Sequence, residues 1–209
     1  MELKEVIKKR RSIRHYKEDS VPQAVIEDLL TAAQMAPSAT NRQPWRFIVV
    51  RDADLKNHLG EAITQPFVTK APVILICCID RASFTRNMLQ KRVEELVSAG
   101  IMEREVADML YQRKMPETAE EAGIPISAYI DMGIAVEHIV LMAADMGLGS
   151  CWVRMFNAER LSTILNLSPQ LTPVAVLPLG YPDENPPVRP RLPLYEIVLE
   201  EGYKGDMPD

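Results

Sequence analysis

The chain has 209 residues, 47% of them apolar and 25% charged, the balance of a globular protein with a substantial core. A formal net charge of -5 argues against nucleic acid as a main partner, so any bound anion must be held by a local basic cluster. No stretch reads as long and apolar enough to span a bilayer, and the charged start MELKEVIKKRRSIRHYK lacks the apolar core of a signal peptide, which points to the cytoplasm.

Residues 2–11 read as a short helix with Leu3, Val6 and Ile7 on one face. Ser20 and Pro22 open a second, in which Val25, Ile26, Leu29, Leu30 and Ala33 keep a helical period until Ala36 and Pro37 stop it. WRFIVV (45–50) reads as a strand, Asp52 caps a helix through about Ile63, and VILICCI (73–79) is a strand without alternation, hence covered on both faces. Cys77 and Cys78 inside that run read as small buried hydrophobes. With Cys151 and three histidines they give no metal-ligand spacing.

Residues 84–122 carry helically spaced Met88, Leu89, Val93, Leu96 and Val97, then Ile101, Val106, Met109 and Leu110, and are too long for a loop. The next helix, about 127–146, is apolar around most of its circumference, which suits a helix central in a domain or packed at a subunit interface. Gly147 ends it as a C-cap. SCWV reads as a strand, Asn157 caps a helix, and TPVAVLPLGY is a further strand. A Pro-rich extended arm (178–193) and a last strand, YEIVLEE, complete an α+β order with one sheet flanked by helices.

Four patches carry chemistry. In RRSIR, Arg10, Ser12 and Arg14 alternate, so an extended backbone turns two guanidiniums and a hydroxyl to one side, as a phosphate requires. A solvated basic helix end has the same composition. In APSATNRQPW (36–45) the Asn and Gln amides offer donors and acceptors for the edge of a planar heterocycle, or simply turn chemistry. GLGSCWVRMF (147–156) allows close backbone approach at Gly149 to something flat, but its helix-then-strand order excludes a dinucleotide fingerprint. VRPRLP places Arg189 and Arg191 two apart on the arm.

In this order, RRSIR, APSATNRQPW, GLGSCWV after a long apolar helix, and LPLGYP followed by RPRLP resemble the nitroreductase family of FMN-dependent oxidoreductases. The resemblance covers about residues 4–199, apart from a variable excursion at 81–126. It implies a nitroreductase-like α+β fold: a central, mainly antiparallel sheet flanked by helices, one domain over 1–209, and an intertwined homodimer holding FMN at its interface. Carried over by motif, Arg10, Arg11, Ser12 and Arg14 become the N-terminal FMN contacts. Arg10 and Ser12 lie toward the phosphate and Arg14 toward the pyrimidine edge. Arg189 and Arg191 complete the phosphate site. Pro37, Ser38, Ala39, Asn41 and Gln43 meet the cofactor from the partner subunit. Cys151, Trp152, Val153, Arg154 and Met155 pass beside the isoalloxazine ring. Members place an Asn and a Lys before the second strand; here TQPFVTKAP offers Gln65 and Lys70, neither of which aligns with those positions.

The implied activity is ping-pong electron transfer from NADH or NADPH to small aromatic or quinonoid acceptors. The cofactor carries the electrons, so no catalytic acid or base is nominated. Residues 81–126 cap the site, with Met88, Met102, Met109, Tyr111 and Met115 as an adaptable lid or as ordinary packing. Alternatives are a halotyrosine dehalogenase, for which Glu94, Tyr111 and Lys114 supply the residue types, a flavin store or sensor without turnover, and an oxygen-dependent enzyme that consumes its own flavin.

Overall fold

The computed structural model describes residues 2–199 and 201. Its strands β1 (Trp45–Val50), β2 (Val73–Asp80), β3 (Gly149–Ser150) and β4 (Leu171–Gly180) form an antiparallel sheet in the order β1-β2-β4-β3. Around it lie α1 (Leu3–Lys9), α2 (Gln23–Gln34), α3 (Ala53–Leu59), α4 (Pro66–Lys70), α5 (Arg86–Ser98), α6 (Arg104–Tyr111), α7 (Ile126–Asp145), α8 (Ala158–Ile164) and α9 (Leu194–Ile197).

β2 is buried at every position because helices cover both sheet faces. On one face Val73, Leu75, Cys77 and Ile79 join Ile26 and Leu29 of α2 and Met132, Val136 and Ile139 of α7. On the other, Ile74, Ile76 and Cys78 join Leu59, Val68 and Leu161 from α3, α4 and α8. Two covered faces leave no position for a polar side chain, hence the run without alternation. A bulge between Cys77 and Cys78 shifts the register on β4, beside Pro173, which has no N–H to give the ladder.

Local chemistry sets the helix ends. Asp52 accepts from the Leu55 amide at 2.8 Å and starts α3, which stops at Leu59, short of the expected Ile63. The α7 C-terminus is a Schellman motif. Gly147 takes φ 79°, and the amides of Leu148 and Gly147 donate to the carbonyls of Ala143 (2.8 Å) and Ala144 (3.3 Å).

Three expectations need correction. By length and composition α7 does match a membrane span, yet Ala128, Met132, Ala135, Val136, Ile139, Val140 and Ala143 are core residues of the fold. Ile126, Tyr129, Ile130 and Met142 of the same helix are exposed in the single chain. The SCWV strand shrinks to Gly149–Ser150, and Val153 alone returns to the sheet, in a two-bond bridge with Val176. YEIVLEE forms a helical turn at its start rather than a strand, and its Glu200 lies outside the described residues. Among the described residues no strand pairs with it, and the backbone closes a bond of its own, Val198 N–H to Leu194 C=O at 2.8 Å.

Gly149 also differs from its expected role. A Cβ there would stand 2.6–2.8 Å from the Cγ1, Cβ and Cγ2 atoms of Ile13, so the glycine makes room for that side chain, not for a flat ligand. Ile13 is β-branched and buried, with little freedom to retreat. Gly149→Ala is expected to destabilise the fold by about 1–3 kcal/mol, the usual cost of overpacking. Urea denaturation would read this as a lower midpoint, and an unchanged midpoint would refute the contact.

Candidate functional site

The two chain ends meet at the β3 edge of the sheet. Arg10 ends α1 and turns the backbone to φ -52° and ψ 133°. The extended segment that follows pairs Ser12 with Ser150, while Ile13 N–H donates to Ser150 C=O at 2.9 Å. Tyr16 bridges to Pro182, and its hydroxyl donates to the Ile13 carbonyl at 2.6 Å. The backbone amides of Arg14 and His15 both donate to the Glu184 carboxylate, which draws the Pro-rich arm across the basic segment.

These contacts enclose a cavity of about 150 Å³ lined by Arg10, Arg11, Ser12, Arg14, Arg189 and Arg191, with Pro186, Pro187 and Val188. The two expected basic clusters, far apart in sequence, therefore share one cavity. Arg11 is partly committed elsewhere. Its Nη1 donates to the carbonyls of Lys8 (2.6 Å) and Arg10 (2.8 Å), closing the α1 C-terminus. Arg14 lies over the Phe67 ring of α4, 5.8 Å from its centroid.

Cys151 is buried and lines neither this cavity nor the larger one beside it. Burial pushes its thiol pKa up, while the charges of Arg14 and Arg189 and a hydrogen bond with Ser12 oppose the shift. Next along the chain, Trp152, Val153, Arg154 and Met155 line a cavity of about 630 Å³ with Gln65, Tyr129 and Gly133. Gln65, at the start of α4, buries an amide oxygen that has no partner in the protein. Such an acceptor calls for a donor from a ligand or water. Lys70 is exposed at the far end of α4 and does not line this cavity.

Pro37, Ser38, Ala39, Asn41 and Gln43 line neither cavity. They form a tight loop in which Ser38 Oγ accepts from the Gln43 amide at 2.9 Å and Gln43 Nε2 donates to Asn41 Oδ1 at 3.0 Å. Thr40, Asn41 and Gln43 sit at φ 51°, 50° and 49°, with Arg42 at φ -68° between them, so left-handed bends shape the loop around two half-buried amides. Beneath, Asp131 of α7 is 5% exposed and accepts from the Ala39 amide. Within one chain this loop stands apart from the arginines.

The excursion packs on that loop as a hairpin of α5 and α6. Met102, Tyr111 and Met115 pack against Leu89, Val93 and Ala107, which is ordinary core behaviour, whereas Met109 is exposed. Glu94 receives two bonds from Arg104 (2.6 and 3.0 Å) and one from the Tyr111 hydroxyl. The Arg104 bonds, then Tyr111, hold its carboxyl down at about 2. Lys114 takes no part in this cluster, so Glu94, Tyr111 and Lys114 do not converge.

Sequence reading named Gln65 without its burial and did not single out Glu184, Asp131 or Arg42. Asp131 gave a signal, as an acid within a largely apolar helix. Glu184 and Arg42 depend on contacts across the chain that no local pattern encodes.

The sequence model described as Nitroreductase family matches residues 7–181. A Thermus thermophilus protein named NADH dehydrogenase is 36% identical over 197 residues, covering 91% of this chain and 92% of that protein. A Bacillus subtilis protein named FMN reductase (NAD(P)H) is 30% identical over 207 residues, covering 96% of this chain and 75% of its own. The crystal structure of a nitroreductase family protein from Clostridium difficile 630 superposes with a TM-score of 0.70 at 28% identity, covering 97% of this chain and 100% of that one.

The geometry at Cys151 sets its reactivity. A thiol pKa raised by burial keeps it protonated at pH 8, and only the thiolate attacks disulfide reagents. The folded protein is expected to react slowly with such a reagent at pH 8 and to release all three thiols on unfolding. Fast stoichiometric labelling of Cys151 in the folded state would contradict the burial.

Proposed function

Because the chain belongs to the nitroreductase family, we propose that it is an FMN-dependent oxidoreductase that moves electrons from NADH or NADPH to small organic acceptors such as nitroaromatics or quinones. One observation carries the reading: an acidic chain gathers Arg10, Ser12, Arg14, Arg189 and Arg191 around a single cavity. The dianionic phosphate of FMN is the anion such a cluster fits, since planar guanidinium forks match phosphate oxygens. The larger cavity takes the ring, and the unpartnered Gln65 oxygen supplies an acceptor for an N–H of its pyrimidine edge. We infer the same neighbourhood for Arg14, whose charge stabilises the anionic form of that edge.

Bound FMN would supply the redox chemistry, accepting a hydride from the nicotinamide and returning electrons to the acceptor. The chain's own residues bind, orient and exclude. Cys151 to Met155 bring backbone beside the ring, anchored by the Val153–Val176 bridge. A single open face obliges donor and acceptor to alternate, which is a ping-pong order.

The reading includes a homodimer. Its support is an apolar surface that one chain leaves uncovered: Ile126, Tyr129 and Ile130 of α7, a groove of about 510 Å³ beside Leu3, Met35 and Met142, and the arm residues Leu192, Leu194 and Tyr195. A partner seated there brings its Pro37–Gln43 loop to the flavin, which accounts for that loop's distance from the arginines of its own chain. We read residues 1–209 as one domain, 81–126 as its lid, and the reducing cytoplasm as its location, which suits three free cysteines.

The purified protein is expected to be yellow and to oxidise NADH or NADPH when a nitroaromatic or quinone is supplied. Arg189→Ala with Arg191→Ala should weaken FMN binding roughly a hundred-fold or more, the scale of two charge-assisted contacts of about 1.5–3 kcal/mol each. Protein that stays colourless after FMN is added would overturn the reading. Flavin bleached by NAD(P)H without turnover would favour a storage or sensing role instead.

A further inference from the structure

A third cavity, of about 390 Å³, lies between the Ala39–Arg42 turn and the lid, and the flavin reading leaves it unused. Phe84, Met115 and Pro116 give it apolar walls, and Arg42 and Arg113 give it two cations. The Arg42 guanidinium is fixed on three sides. Nε donates to Thr40 Oγ1 at 3.1 Å, Nη1 donates to the Ser83 carbonyl at 3.1 Å, and the group lies 5.4 Å from the centroid of the Phe84 ring. A fork held this way loses little further freedom on meeting a ligand.

Arg113 makes no side-chain hydrogen bond or ion pair among the described residues. The acid on the wall, Glu121, accepts from the backbone amide of Glu117 at 3.1 Å. Asp131 sits below the turn, bonded to Ala39, and does not line the cavity. Burial, then the charge of Arg113, pushes the Arg42 pKa down, and burial pushes that of Asp131 up. The cavity therefore presents more positive charge than the chain itself answers.

We propose that this cavity binds the anionic group of a substrate, a carboxylate or a phosphate held between Arg42 and Arg113, with a planar apolar body against Phe84 and Met115. The inference rests on the flavin reading, which brings the Ala39–Thr40 turn to the partner's cofactor and so sets this cavity beside the reacting ring. It narrows the acceptors, or the donor, to molecules that carry a negative charge. Phe84, Arg113 and Met115 belong to the excursion, so the lid and the Ala39–Arg42 turn would share the charge preference.

Equilibrium binding of benzoate and of its neutral isostere benzamide to the FMN-loaded protein tests this without turnover. The wild type is expected to prefer benzoate roughly tenfold, less at high salt, because a charge-assisted contact separates the two probes. Arg113→Gln should erase that preference, while Arg113→Lys should keep part of it. Displacement of benzoate by inorganic phosphate assigns the site to a phosphorylated donor; displacement by other aromatic carboxylates alone assigns it to the acceptor. Equal binding of benzoate and benzamide, or a preference that survives Arg113→Gln, overturns the proposal. Failure to bind FMN at all would instead sink the flavin reading.

Discussion

The carboxylate of Glu184 accepts from two successive backbone amides, those of Arg14 and His15, and much of the site geometry depends on that junction. Without it the Pro-rich arm has few holds on the body of the protein. Its other nearby ties are the Asp183 amide to the His15 carbonyl at 3.0 Å and the Lys17 amide to the Tyr181 carbonyl at 2.9 Å. An acid at this point also moderates the field of the arginines around it. Both N–H groups donate to Oε1, and among the described residues no guanidinium forms a direct ion pair with this carboxylate. The cluster thus stays charged and in place, which is the condition an anion site needs.

The sheet edge is what makes such a junction feasible. β3 is two residues long and leaves the outer side of β4 open beyond it. The segment from Ser12 to Tyr16 bridges to Ser150 of β3 and to Pro182, just past the end of β4, and Gly149 and Gly180 have no side chains where Ile13 and Tyr16 approach. Edge strands present unpaired backbone groups, and covering them with the chain's own termini is one way to remove that liability. Here the covering segment also carries the functional residues, so closing the edge and building the cavity are one event.

Sequence patterns disclosed the elements whose cause is local or purely apolar. The doubly buried β2, the Asp52 and Asn157 caps and the Gly147 stop all follow from nearest-neighbour chemistry or from two covered faces. Ile13 against Gly149 does not, because the two meet only when residues far apart in sequence are brought to one edge. YEIVLEE shows the opposite failure. Its composition favours a strand, yet a strand exists only with a neighbour, and the described chain offers it none. The arginines were legible because their spacing is short-range in each cluster. Gln65 stood in the sequence as a candidate, but the burial of its amide oxygen without a partner has no signature before the fold exists.

The inner and outer sides of α7 meet different demands. Its inner side is continuous with the core and cannot change without disturbing α2 and β2. Its outer side meets the larger cavity through Tyr129 and Gly133, and Ser127 at its first turn meets the cavity beneath the lid. Asp131 lies between them on the same helix, holding the Ala39 amide and hence the turn that carries Thr40 and Arg42. One helix thereby contacts both cavities and the turn that carries Arg42, while Arg113 comes from the lid. The contacts that gather Arg10, Ser12, Arg14, Arg189 and Arg191 lie at the β3 edge and none of them passes through α5 or α6, so substitutions in the lid leave that cluster in place.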